Sequence, residues 1–316
     1  MDSVFKKAKG KEKHLGIWEA YNSLYRHMTA ISSKAAIDLW QDSDGQFGWI
    51  SIQLNPYLAS NTDQMLGQAL ALSEVSPNVM IKAPGSCQGY EVIEELTARG
   101  IATNNTLCFT VSQAKAYVSA VKRGIERARM NNVNLSRWRS VITFMIGRFG
   151  TKGKLVQQAE EKGFKLSEID IRKAELMVFD KIYKIIEKAG IPSKLLLSSI
   201  RLDSDLEKNR LSLKQKHIHI QRTCNCNIIY TLPPKTISEI LSFKHLKPFI
   251  RDSDFQQEIS GSLMQKLLKI PYFLEGYMED GISSKEFSRY SAFINLISEV
   301  RAATDKFVSM LGVINE

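Results

Sequence analysis

The chain has 316 residues, of which 44% are hydrophobic, and it carries a formal net charge of +10. This length supplies one large hydrophobic core or two modest ones, and no apolar run is long enough to cross a bilayer. The four cysteines are too few for a disulfide scaffold, and the start shows no signal-peptide pattern, so we expect a cytoplasmic protein.

Part of the positive charge is concentrated at the start of the chain. We expect residues 1–14 to form a basic flexible arm and residues 15–316 to form a single domain. A basic arm can bind nucleic acid or anionic lipid. The chain lacks the interleaved aromatic and basic residues that stack bases, so nucleic-acid binding is not expected. The remaining charge fits an anionic small substrate.

After the arm, an apolar stripe predicts one or two helices over residues 15–40. A pattern of short β-rich run, turn and helix then repeats. The predicted strands are 48–54, 79–82, 101–109, 141–146, 194–200 and 226–231. The predicted helices are 61–73, 89–99, 112–130, 152–189 with a break near Gly163, and a helical tail over 237–311.

Strands that alternate with helices indicate parallel β/α units. The sequence has no Gly-x-Gly-x-x-Gly after the first strand and no Walker A motif, which argues against an open nucleotide-binding sheet. We therefore predict an α/β fold of the (β/α)8 TIM-barrel type with extra C-terminal helices. Only six strands can be identified where a closed barrel needs eight, so we expect the barrel to be incomplete at the N-terminus.

Polar residues fall at the ends of the predicted strands, where barrels of this type carry their chemistry. Lys82 is the most informative, because three apolar residues precede it and Pro84 follows closely. Burial would lower the pKa of its amine and make it a nucleophile for carbonyls. The alternative is a solvated lysine at a strand end. The other polar strand-end residues are Gln53, Asn104, Thr106, Thr143, Arg148, Ser199 and Arg201.

Two histidines and two cysteines lie near each other late in the sequence. His217-Ile218-His219 alternates as a strand would, which places both imidazoles on one face. Cys224 and Cys226 are separated by one residue, whereas zinc sites usually have two to four residues between cysteines. We therefore do not expect a metal site.

Three strand segments resemble the transaldolase family. They are Ile-Ser-Ile-Gln-Leu-Asn-Pro at 50–56, Asn-Val-Met-Ile-Lys-Ala-Pro at 78–84 and Gly-Ile-Ala-Thr-Asn-Asn-Thr-Leu-Cys-Phe at 100–109. Ile-Gly-Arg at 146–148 and Ser-Ser-Ile-Arg at 198–201 match more weakly, in the same order. The resemblance covers roughly residues 15–245, and the tail is compatible with the longer members of the family.

The resemblance implies transfer of a dihydroxyacetone unit between sugar phosphates through a Schiff base on Lys82. No metal or organic cofactor is then needed, because the imine is the electron sink. Thr106 would help hold the catalytic water, alongside Gln53, and Asn104 and Thr143 would bind substrate. The implied phosphate ligands are Arg148, Ser199 and Arg201, and arginine presents a fork of donors suited to phosphate oxygens.

The sequence departs from the family pattern in three places. Gln53 stands where transaldolases carry a Glu, and an amide does not act as an acid or base near neutral pH. The related fructose-6-phosphate aldolases also have Gln there, so aldol cleavage is an alternative reaction. Met145 stands where those aldolases have Tyr and transaldolases have Phe. No counterpart of the family's first two strands, one with a catalytic Asp, is found before Gly48.

These departures leave three interpretations open. The chain is an active transaldolase or aldolase, or a catalytically impaired relative that binds sugar phosphate or a partner protein. The missing strands leave their own alternatives open: a truncated gene product, a chain that borrows the strands from a second copy or a partner chain, and a degenerate relative. Asp203 is a conceivable replacement for the missing acidic residue.

Overall fold

The computed structural model describes residues 16–200, 218–242 and 260–315. Within these ranges, six parallel strands form one curled sheet whose order in space is the order along the chain. This confirms the predicted parallel β/α pattern, and the curled sheet is consistent with part of a TIM barrel. The strands are β1 (Ile50–Gln53), β2 (Val79–Pro84), β3 (Thr103–Cys108), β4 (Ser140–Phe144), β5 (Ser193–Leu197) and β6 (Ile228–Tyr230).

Helices follow the strands and continue in the C-terminal part. The helices up to β5 are α1 (Ile17–Asp42), α2 (Thr62–Ser73), α3 (Cys87–Ala98), α4 (Val111–Met130), α5 (Ile146–Lys152), α6 (Leu155–Glu161) and α7 (Glu168–Lys188). The later helices are α8 (Ile218–Thr223), α9 (Pro234–Ser242), α10 (Gly261–Leu267), α11 (Pro271–Tyr277) and α12 (Ser291–Asn315). Short 3₁₀ turns span Pro56–Leu58 and Ser284–Arg289. In the described ranges, no helix has the length and apolar character that a bilayer crossing needs.

Two predicted local structures are wrong. The strand predicted over 141–146 ends at Phe144, because the carbonyl of Met145 accepts bonds from the N–H groups of Arg148 and Phe149 and so begins α5. Arg148 therefore lies in the first turn of a helix and not at a strand end. Ile218 and His219 belong to α8 and not to an alternating strand, while His217 lies outside the described residues.

The sheet has two different faces. The two-residue period of a strand places Ile81 on the outer face, against the helices, and Met80 and Lys82 on the inner face. The main core lies between the outer face and the helices and includes Ile81 and Ile142. A small separate cluster of Met80, Ala102 and Val141 occupies the inner face.

Helix α1 runs beside the edge strand β1. The hydroxyl of Tyr25 donates to the carbonyl of Gln53 and accepts from its N–H, both at 3.0 Å. The side-chain amide of Asn78 donates to the carbonyls of Ser33 and Gly48. Burial raises the pKa of Tyr25 to about 12, so its hydroxyl stays protonated and able to donate. The two Tyr25 bonds satisfy the N–H and carbonyl of Gln53, which an unpaired edge strand would expose, and they fix the backbone there.

Candidate active site

Lys82 lies near the C-terminal end of β2, and strand pairing places Gln53 and Asn104 on either side of it. Its side chain is only partly exposed, and burial lowers the pKa of its amine below the ordinary value. A lowered pKa increases the fraction of neutral amine, which is the form that attacks a carbonyl. Of the two alternatives that the sequence left open, a buried lysine and a solvated one at a strand end, the partly buried side chain favours the first.

Gln53 is the neighbour of Lys82 on the edge strand. Its side-chain Nε2 donates to the backbone carbonyl of Lys82 at 3.3 Å. This contact leaves the amide oxygen as an acceptor for a water or a substrate hydroxyl, although the amide offers no titratable proton.

Asn104 is held on the other side of Lys82 by two hydroxyl groups. The hydroxyl of Thr143 donates to Asn104 Oδ1 at 2.7 Å, and Asn104 Nδ2 donates to the hydroxyl of Ser51 at 3.0 Å. Asn104 and Thr143 are both buried. The sequence predicted these two residues as separate substrate ligands, and the structure brings them into one hydrogen-bonded group that fixes the orientation of the Asn104 amide.

Thr106 lies in the last part of β3, where the pairing with β4 shifts register between Asn105 and Cys108. The next residue, Leu107, has a φ of 57°, in the left-handed region. Such a backbone costs on the order of 1–3 kcal/mol for a residue other than glycine, and it persists only where surrounding contacts hold it. Irregular pairing of this kind redirects side chains and is frequent beside active sites.

Arg148, in the first turn of α5, meets Ser199, which lies two residues after the end of β5. Arg148 Nε donates to the Ser199 hydroxyl at 3.1 Å, which joins two of the residues predicted to bind phosphate. Ser199 has a φ of 57° and is another strained residue at a strand end. The third predicted ligand, Arg201, lies outside the described residues, as does Asp203.

The same arginine is engaged by a carboxylate from the C-terminal helix α12. Arg148 Nη1 lies 2.6 Å from Glu299 Oε2, and Lys152 Nζ lies 2.5 Å from Glu299 Oε1. Lys152 and Arg148 together lower the pKa of Glu299. Two cations therefore flank a position that already holds an anionic group, and the Ser199 hydroxyl orients one of them from another side.

Sequence reasoning missed Lys152, Glu299 and Gln113. Lys152 is four residues after Arg148, a spacing that places both on one helix face, so the signal was present. Glu299 had no local signal, because its partners are more than a hundred residues away in the chain. Gln113 lies three residues after Thr110 in a Thr-x-x-Gln capping box, which is a recognisable helix start.

Gln113 is a buried amide that joins the segments after β2 and β3. Its Oε1 accepts from the N–H groups of Phe109 and Thr110, and its Nε2 donates to the carbonyls of Gly85 and Leu107. It therefore supports the strained backbone at Leu107 and the turn that follows the Lys82 strand.

The histidine and cysteine group from which no metal site was expected is described only in part, because His217 lies outside the described residues. Within the described ranges, no group of three His, Cys, Asp or Glu side chains is placed to hold a metal ion. His219 contacts Glu175 through its Nε2 at 2.7 Å.

Comparison with known proteins adds to this geometry. A family model described as Transaldolase/Fructose-6-phosphate aldolase matches residues 1–290. A transaldolase of Mycolicibacterium paratuberculosis is 37% identical over 115 residues, which is 36% of this chain and 31% of the relative. A transaldolase of Mycobacterium tuberculosis (strain ATCC 25618 / H37Rv) is 35% identical over 133 residues, 40% of this chain and 36% of the relative.

A third relative matches over a longer stretch. A transaldolase of Saccharopolyspora erythraea is 27% identical over 187 residues, which is 55% of this chain and 51% of the relative. The chain thus spans about a third to a half of the length of these curated relatives.

Proposed function

The chain belongs to the transaldolase and fructose-6-phosphate aldolase family, as its strand segments predicted, and we propose that it acts on sugar phosphates through a Schiff base on Lys82. The observation that carries this proposal is the half-buried Lys82, whose amine has a lowered pKa and whose paired neighbours on both strands are amides. The proposed catalytic residues are Lys82, Gln53 and Thr106. Asn104 and Thr143 are the proposed ligands of the substrate hydroxyls.

In the proposed reaction, the neutral amine of Lys82 attacks the carbonyl carbon of a ketose phosphate. Loss of water leaves a protonated imine. The bond between the carbons α and β to the imine carbon then breaks. The hydroxyl on the β carbon gives its proton to the bound water and becomes the aldehyde of the departing aldose phosphate, while the electron pair of the bond moves into the imine to form an enamine. The enamine attacks a second aldehyde, and water hydrolyses the new imine. Gln53 and Thr106 would hold the water that exchanges protons with these intermediates.

Arg148 and Ser199 are proposed to bind the phosphate, with Arg201 joining them from outside the described residues. The Glu299 carboxylate supports this assignment, because it lies between Arg148 and Lys152, where a phosphate could make the same charge-assisted contacts. Lys152 is therefore a proposed fourth ligand.

Aldol cleavage is the second candidate reaction, and Gln53 is the observation that favours it. In cleavage, the enamine carbon takes a proton from water, and a further water hydrolyses the resulting imine to release dihydroxyacetone and the free Lys82 amine, so no acceptor is needed. A catalytically impaired relative that binds sugar phosphate or a partner protein is the remaining alternative.

We also propose that residues 15–316 form one unit and that two further strands join β1 to β6 in a closed eight-stranded barrel. Ile229 on the inner face of β6 is 36% exposed, and the outer edge of β1 is covered by a helix and not by a strand. The additional strands would come from a second copy or from a partner chain.

A product assay separates the reactions. The protein is incubated with fructose 6-phosphate, with and without a four-carbon aldose phosphate, and the products are identified by mass spectrometry. A seven-carbon ketose phosphate that forms only with the acceptor supports transfer. Free dihydroxyacetone that forms without the acceptor supports cleavage. If well-folded protein gives neither product, the catalytically impaired relative is the remaining interpretation.

A further inference from the structure

A buried charged group lies behind the proposed phosphate site. Glu175 on α7 is fully buried, and its Oε1 accepts from the N–H of Gly150 at 3.2 Å. Its Oε2 lies 2.8 Å from Arg172 Nη1 and 2.7 Å from His219 Nε2. One carboxylate thus contacts α5, α7 and α8, and none of these contacts is part of the proposed chemistry.

The contact with α5 is tight. A Cβ on Gly150 would lie 2.4 Å from Glu175 Oε1, so the helix backbone rests directly against the carboxylate. A buried carboxylate is tolerated when a cation and hydrogen-bond donors satisfy it, and here Arg172, which is 3% exposed, supplies the cation. The carboxylate therefore fixes Gly150, Arg172 and His219 in position relative to one another.

Helix α5 needs such support. It has seven residues, and no side chain caps its N-terminus at Met145. A helix this short is not stable by itself, so its tertiary contacts decide where Arg148 lies. Gly150, which contacts Glu175, is two residues after Arg148. Between them, the carbonyl of Phe149 accepts a hydrogen bond from the Tyr272 hydroxyl at 2.7 Å.

We propose that Glu175 is a positioning residue for the phosphate site, a role that rests on the proposed function. It holds α5, which carries Arg148. Through His219 it also contacts α8, so the carboxylate is held by α7 and α8 while it supports α5. Glu175 thereby fixes where Arg148 and Lys152, the two cations on α5, lie relative to α7.

The first test is the substitution Glu175→Gln, which keeps the size of the side chain and removes its charge. The matched control is Glu187→Gln on the same helix, where the side chain is exposed and accepts a bond from Tyr183. Hydrogen exchange of the peptide containing residues 146–152 is measured in both. We expect faster exchange in Glu175→Gln alone, and unchanged exchange would overturn the proposal.

The second readout separates positioning from a general structural role. The KM for fructose 6-phosphate should rise about tenfold in Glu175→Gln, which corresponds to the loss of one strong charged contact. Borohydride trapping of unphosphorylated dihydroxyacetone on Lys82 should stay at the wild-type level, because it does not use Arg148. Equal losses with both probes would contradict a positioning role.

A milder variant keeps the test decisive if Glu175→Gln fails to fold. His219→Leu leaves the pair of Arg172 and Glu175 intact and removes only the α8 contact. We expect about a threefold rise in the KM for fructose 6-phosphate and no change with dihydroxyacetone. If the wild type neither traps nor turns over sugar, the proposed function fails, and the exchange experiment still decides whether Glu175 holds α5.

Discussion

Arg148 and Ser199 are 51 residues apart in the chain, yet the arginine Nε donates to the serine hydroxyl at 3.1 Å. The parallel sheet brings them together, because the ends of neighbouring parallel strands lie at the same edge. The contact orients the guanidinium of Arg148 from one side, while Glu299 orients it from another.

Arg148→Lys tests whether the guanidinium fork binds the phosphate. Lysine keeps the charge and loses the paired donors, so the Kd for fructose 6-phosphate should rise about tenfold. Calorimetric titration measures the change, with unphosphorylated fructose as the comparison ligand. Arg137→Lys is the control, since Arg137 pairs with Asp44 away from the site. An unchanged Kd in Arg148→Lys would remove this residue from the phosphate site.

Glu299→Gln tests competition between the α12 carboxylate and the substrate. Removal of the negative charge frees Arg148 and Lys152, so inorganic phosphate and fructose 6-phosphate should bind about threefold more tightly. The gain is modest because the pair is partly exposed and screened by solvent.

The control for this change is Glu279→Gln, which breaks the exposed pair with Lys115 at 3.0 Å. It should leave the affinity for phosphate unchanged. Weaker phosphate binding in Glu299→Gln would mean that the carboxylate supports the site and does not compete for it.

Lys82→Met tests the burial of the lysine through stability. The folded state lowers the pKa of Lys82 from its ordinary value of 10.5, so the charged form is less stable in the folded than in the unfolded protein. This destabilisation is fully present below the lowered pKa and disappears as the pH rises from that value to 10.5. Lys82→Met should therefore have the higher Tm at pH 7.

The difference in Tm between Lys82→Met and the wild type should narrow as the pH is raised through this window. Thermal unfolding at several pH values measures it. A wild-type Tm at pH 7 that is equal to or higher than the Tm of Lys82→Met would contradict the desolvation of this amine.

Gln113→Leu tests the buried amide that supports the turns after β2 and β3. The change leaves the N–H groups of Phe109 and Thr110 and the carbonyls of Gly85 and Leu107 without their side-chain partner. The free energy of unfolding should fall by roughly 3 kcal/mol. Chemical denaturation measures the fall.

Gln157→Leu is the control, because Gln157 is exposed and donates only to Glu161 in the described contacts. It should change the free energy of unfolding by less than about 0.5 kcal/mol. Equal changes in the free energy of unfolding would mean that the hydrogen bonds of Gln113 stabilise the fold no more than the exposed bond of Gln157 does.

Much of the fold and the centre of the site could be predicted from the sequence. The run that ends in Lys82 is apolar, short and followed by Pro84. The strand, its end and the buried lysine can therefore all be predicted from neighbouring residues alone. Gln53 and Asn104 become its neighbours as soon as the strands are taken as parallel and consecutive, which the alternating pattern already indicates.

Other features depend on contacts between distant parts of the chain. Three residues of alternating pattern at His217 to His219 are too few to distinguish a strand from a helix. The described part of this segment, Ile218 and His219, is helical. Glu175 itself looks like any acidic residue on a helix. Arg172 is its local partner, but the contacts with Gly150 and His219, 25 and 44 residues away, have no local signal in the sequence.

The central claim is an imine on Lys82, and borohydride trapping tests it most directly. The protein is incubated with fructose 6-phosphate, reduced and digested, and the peptide that contains Lys82 is analysed by mass spectrometry. We predict a three- or six-carbon adduct on this peptide that is absent from Lys82→Ala. Well-folded wild-type protein without an adduct, or an adduct that persists in Lys82→Ala, would contradict the proposed Schiff-base chemistry.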